Sequence, residues 1–128
     1  MNARLSVFLV LAVLTVTGNA FAHHGAAAYD MGKSVTVKGT VTDFQFINPH
    51  VLITIESKGD SGTVQKWQGE LTSPNRFARG GWTKSTLKVG ETITLIGAGA
   101  KSGAQTVWIR KILGPNGDEI KLGGGDDN

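Results

Sequence analysis

The chain has 128 residues, 13 basic and 10 acidic side chains for a net charge of +3, three histidines and no cysteine. That length makes one domain around one core, and the lack of cysteine excludes thiolate ligands and disulfides. The charges are scattered and form no basic stripe, so the composition does not point to nucleic acid.

The first segment reads as a leader. Arg4 supplies a positive start, Leu5 to Val16 is apolar, and Ala20-Phe21-Ala22 has the small-x-small form of a cleavage site. The apolar run is too short for a hydrocarbon core about 30 Å thick. Residues 1–22 are therefore expected to be a signal peptide removed after Ala22, giving a periplasmic or secreted protein. Its mature chain of 106 residues, without Arg4, carries a net charge of +2 and is not expected to insert stably in a membrane. Cleavage there makes His23 the first residue, with His24 next to it. An N-terminal histidine offers two nitrogens at once, its α-amine and its imidazole, both of which titrate near neutral pH.

Strand patterns follow. Val35, Val37 and Val41 alternate with threonines and Lys38, which predicts a half-buried strand with a bulge or bend at Gly39. Phe44 and Phe46 continue it with shifted parity until Asn48-Pro49 breaks the run. His50 opens a second strand that reaches Ser57. Val51, Ile53 and Ile55 form its core face, and His50, Leu52, Thr54 and Glu56 lie opposite. Gly59 to Gly62 is a turn, and a third strand runs from Thr63 to Leu71. Ser73-Pro74 starts a short helix, serine as cap and proline in the first turn, which Gly80-Gly81 closes. Thr83 can cap a further helical turn, and Lys88 to Glu91 is a turn. A fourth strand covers Thr92 to Ile96 and a fifth Gln105 to Leu113. Pro115 to Asp118 turns into a short strand from Glu119 to Leu122.

Three strands, a short helix and two strands give an all-β protein with one short helix, an OB-fold-like five-stranded barrel without parallel pairing; an open β-sandwich is the alternative. The barrel domain spans 23–122, and 123–128 is a flexible acidic tail.

Taken together, these residues resemble a family of small exported bacterial proteins known only as a domain of unknown function. The resemblance rests on His23-His24, Tyr29-Asp30, Val37-Lys38-Gly39-Thr40-Val41, Asn48-Pro49-His50, Trp67 with Glu70, Ser73-Pro74-Asn75, Gly81-Trp82-Thr83 and Leu87 to Glu91. It implies export and an OB-like barrel, and supplies no activity.

The chemistry centres on the histidines. An arm of about eleven residues from His23 to Lys33 is long enough to fold back to His50, since extended chain covers about 3.3 Å per residue. The amine and ring of His23 with the ring of His50 then give three nitrogens, a donor set that resembles a histidine brace in its terminus and suits copper, with zinc also accepted. His24 offers a second mode through the amine, an intervening amide and its own ring. Glu70 and Asp30 are candidates to orient a ligand, against the plainer readings of a Glu70–Lys38 ion pair and a turn aspartate. Met31 can offer a thioether or simply pack. No catalytic residues stand out, since there is no nucleophile elbow and no telling carboxylate pair.

The expected function is metal handling or delivery, with a metal-donor or acceptor protein as partner. The competing expectation is an adaptor that binds a partner protein or glycan without metal. Its surface would be Trp82, taken as exposed beside Gly80-Gly81, with Arg76 and Arg79 on the short helix; Trp67 is expected in the core.

Overall fold

The computed structural model describes residues 25–123. The leader, its cleavage site, His23, His24 and the tail beyond Gly123 lie outside the described residues.

A short 3₁₀ turn, Ala26–Ala28, leads into six strands: β1 (Tyr29–Gln45), β2 (Leu52–Lys58), β3 (Val64–Glu70), β4 (Thr92–Ala100), β5 (Thr106–Leu113) and β6 (Glu119–Ile120). One α-helix, α1 (Pro74–Arg79), lies between β3 and β4. The sheet order is β3-β2-β1-β4-β5-β6, and a further pairing of β3 with β5 closes β1, β2, β3, β5 and β4 into a ring. This closed, mostly antiparallel arrangement with its single short helix is the OB-like fold class expected from the sequence. One expectation fails. The β3–β5 pairing is parallel, because strands that alternate direction cannot close a ring of odd number without one parallel pair.

The ring encloses an aliphatic core. Val41, Val51, Ile53, Ile55, Leu95, Val107 and Ile112 have no exposed surface. The predicted inward face of β2 is therefore observed, and Thr54, assigned to the outer face, is buried as well. Trp67 is half-buried and packs against this core with its predicted inward parity. The segment after β3 adds Phe77, Trp82 and Leu87. Pro74 occupies the first turn of α1 as expected, but the side chain of Ser73 makes no capping bond. Thr83 sits in a turn rather than a helix, its hydroxyl accepting from the Ser85 amide.

Two predicted boundaries move for one reason. β1 begins at Tyr29 instead of Val35, and β4 runs to Ala100 instead of Ile96. These extensions pair with each other, Tyr29 with Ala100 and Val35 with Gly97. The expected eleven-residue arm is thus shortened, since Tyr29 to Lys33 already belong to the sheet.

The parity shift in β1 is real, but its bulge lies between Val41 and Asp43, not at Gly39. Gly39 serves close approach, because a Cβ there would stand 2.6 Å from the Glu56 carbonyl oxygen. Gly97 is tighter still. A Cβ on it would fall 1.9 Å from the Trp108 carbonyl oxygen, so only glycine lets β4 lie against β5 at that point.

Replacing Gly97 by alanine should therefore force β4 and β5 apart. The expected cost is about 1–3 kcal/mol or loss of folding, which lowers Tm by about 5–20 °C for a domain of this size. Gly25→Ala, with nothing within 4 Å of the added methyl, should leave Tm unchanged. Thermal denaturation of both variants checks the pair.

Candidate functional site

The site forms where β3 meets β5. His50 precedes β2 and follows Pro49, whose peptide bond with Asn48 is cis. Val51 anchors it: its amide donates to the Thr72 carbonyl at 3.1 Å, and its carbonyl accepts from the Leu71 amide at 2.9 Å. This holds His50 beside the end of β3, where Glu70 is the last residue. The His50 ring nitrogen Nδ1 contacts Glu70 Oε1 in a hydrogen-bonded pair, with the side chains 28% and 16% exposed. The Tyr29 hydroxyl donates to the other oxygen, Oε2, at 2.7 Å. Glu70 thus bridges the first residue of β1 and the residue two before β2. The ion pair with Lys38 weighed for Glu70 does not form; Lys38 stands opposite Thr94 in the β1–β4 ladder.

Trp108 completes the cluster. It is the register partner of Glu70 in the parallel pair. Its ring lies 5.7 Å from that of Tyr29, tilted by 48°, and 6.1 Å from that of His50, nearly edge-on at 82°. The small residues Gly97 to Ala100 of β4 lie between the strands that carry these rings. Ala98, opposite Trp108, is fully buried yet stands outside the central core cluster. The cluster is therefore a second packed layer on the outside of the ring.

The start of the described chain reaches the same place. Gly25, Tyr29, Glu70, Lys101, Ser102 and Thr106 help line a cleft of about 400 Å³. The 3₁₀ turn is held there by the β4–β5 loop. The Lys101 amide donates to the Ala28 carbonyl at 3.0 Å and its ammonium to the Ala27 carbonyl at 2.9 Å.

The other candidates stand apart. Asp30 is exposed and accepts from the Gly32 amide at 3.1 Å, the turn role of an aspartate. Met31 is exposed, and its carbonyl and sulfur both meet the Arg110 guanidinium. Trp82 is a correction. It is only 5% exposed, because its ring packs against Phe44 and Phe77 while its indole N–H donates to the Lys121 carbonyl at 2.9 Å. Arg76 and Arg79 are exposed on α1, and Arg79 turns back onto the Asn75 carbonyl. Among the described residues no group of three His, Asp or Glu side chains comes together to hold a metal, and no helix is long and apolar enough to cross a membrane. Tyr29 and Trp108 were not singled out as site residues by the sequence. Tyr29 did occur in the resemblance, next to Asp30, and that was its only signal.

Fold and site together define an OB-like protein with a Tyr–Glu–His cluster on its outer surface. The chain belongs to a family of unknown function, DUF6152, whose profile matches residues 11–108. No curated protein matches it in sequence. Among solved structures it is similar to the ZRD-deleted mutant of TiaS in complex with agmatine, at 19% identity and a TM-score of 0.47 over 66% of this chain. It spans only 21% of that TiaS chain. It is also similar to the mitochondrial single-stranded DNA-binding protein Rim1 of S. cerevisiae, at 9% identity and a TM-score of 0.49, over 73% of this chain and 96% of that one.

Burial, reinforced by the hydrogen bond to Glu70 and by its charge, pushes the Tyr29 phenol up from 10.0 to about 12, with a bond from Thr106 acting the other way. The unfolded chain then loses this proton before the folded one does. The stabilisation is whole below pH 10 and is lost as pH rises toward about 12. Tyr29→Phe should cost about 1.5–3 kcal/mol at neutral pH, as expected for a hydrogen bond to a charged group. That deficit should shrink above pH 10, because only the wild type has this proton to lose. Denaturant unfolding of both proteins across that range reads the difference directly.

Proposed function

We propose that the protein binds a transition metal, copper before zinc, through the α-amine and ring of a processed His23 and the ring of His50, and that it handles or delivers this metal in the periplasm. The observation that carries the reading is the state of His50. Its Nδ1 is engaged by Glu70, and its Nε2 has no hydrogen-bond partner among the described residues. An imidazole held at one nitrogen by a carboxylate offers the other as a ligand, the arrangement common to metal-binding histidines. The position of Gly25 supports the same reading. It lines the cleft that Glu70 also lines, and His23 stands two residues before it in sequence, which adds at most about 7 Å of extended backbone.

The donor set decides the metal. Amine and imidazole nitrogens without sulfur favour copper(II), the divalent first-row ion bound most tightly by such groups, and zinc accepts the same donors. His24 is the alternative anchor, through the amine, the amide between the two histidines and its own ring. Glu70 then has the orienting role considered for it, and Asp30 does not, since its carboxylate is occupied locally. The adaptor reading loses its aromatic anchor, because Trp82 belongs to the core.

Protein with the native His23 terminus should take up one equivalent of copper(II), with an EPR spectrum of nitrogen-rich coordination. One extra residue before His23 keeps an amine but separates it from the histidine ring, and should weaken binding at least tenfold, or more than about 1.4 kcal/mol. His50→Ala should also weaken it while leaving the fold intact, since His50 lies outside the core cluster. Weak, multi-site binding like that of an unfolded control would overturn the proposal. If the terminal extension matters and His50→Ala does not, the site is confined to His23 and His24.

A further inference from the structure

Tyr29, His50, Glu70 and Trp108 come from four separate stretches of chain, and none belongs to the central core cluster. The hydrogen bonds of Tyr29 and His50 converge on one carboxylate, that of Glu70. The Tyr29 hydroxyl donates to Glu70 Oε2, and Glu70 Oε1 meets His50 Nδ1. Trp108 packs beside both rings, 5.7 Å from that of Tyr29 and 6.1 Å from that of His50.

In water a neutral imidazole favours its proton on Nε2. A carboxylate at Nδ1 reverses that preference, because an ionised carboxylate only accepts and therefore selects Nδ1–H. A carboxylate held at one oxygen can still swing about its terminal torsion, which is broad. A second donor on the other oxygen stops it.

We infer that Tyr29 is a positioning residue for His50. Acting through Glu70, it locks the ring as the Nδ1–H tautomer and so makes Nε2 the atom that meets a ligand. Trp108 packs beside the ring that carries that lone pair. The inference rests on the proposed function only for the identity of the ligand, which is the metal; the tautomer is a property of the metal-free protein.

The test uses metal-free full-length mature protein labelled with ¹⁵N-histidine, at a pH where the His50 ring is neutral, and reads long-range ¹H–¹⁵N correlations. In the wild type, Nδ1 of His50 should be pyrrole-like and Nε2 pyridine-like. Tyr29→Phe should raise the Nε2–H population severalfold while the backbone amide spectrum stays folded. If that variant does not fold, Glu70→Gln carries the test. Its amide can present an N–H to Nδ1, which should convert the ring to Nε2–H. A wild-type His50 protonated on Nε2, or a tautomer ratio unchanged in whichever variant folds, overturns the inference. Copper titration of the same wild-type sample separates the two proposals: an Nδ1–H ring in a protein that binds no copper upholds this inference and overturns the metal reading.

Discussion

A ring of five strands cannot alternate direction all the way round, and the structure depends on where it places the exception. The pairings β1–β2, β2–β3, β1–β4 and β4–β5 are all antiparallel, so the closing pair must be parallel. It is short, three residues of β3 against three of β5, Gln68 to Glu70 with Thr106 to Trp108. The two strands run in the same direction but are staggered, so the end of β3 faces the beginning of β5, which puts Glu70 beside Trp108. Because β3 ends there, the chain leaves the sheet at Leu71 and Thr72, the residues that hold Val51 and with it His50. The closure and the site are one structural event.

The result is a molecule with two packed layers of different chemistry. The inner one is aliphatic, filled mainly by valine, isoleucine and leucine from β1, β2, β4 and β5, with Trp67 of β3 packed against it. The outer one is aromatic and polar and covers the small residues at the end of β4. Gly97 serves both, since the absence of its Cβ allows the β5 backbone to approach at Trp108. A backbone contact needed by the fold therefore also fixes the height at which the Trp108 ring stands over its neighbours.

Much of the inner layer was legible in the sequence because it repeats with period two. Val37 and Val41, then Val51, Ile53 and Ile55, mark their strands without ambiguity. The outer layer was not legible in this way. Gly97 to Ala100 has no large apolar residue to reveal a strand, and without it the start of β1 had no visible partner, so one omission produced two. Trp82 followed two glycines and read as exposed, yet its ring fills a gap beside Phe77 that only the tertiary path creates. Trp67 was placed correctly because strand parity decided it. For the site, His50 and Glu70 could be nominated from residue type, whereas Tyr29 could not. Its role depends on a contact with Glu70 across 41 positions of sequence, and a tyrosine at a strand start has many ordinary uses.

Tyr29 is the only tyrosine in the chain, and it lies against Trp108 with ring centres 5.7 Å apart. At that separation excitation of the phenol passes to the indole far faster than it can be emitted. The folded protein is therefore dark in tyrosine fluorescence, and phenolic emission appears only when this corner opens. Trp108 also touches the His50 ring, whereas Trp82 is buried among phenylalanines. The emission of one indole out of three thus carries the state of the site, and the fold supplies an internal optical gauge of its outer layer.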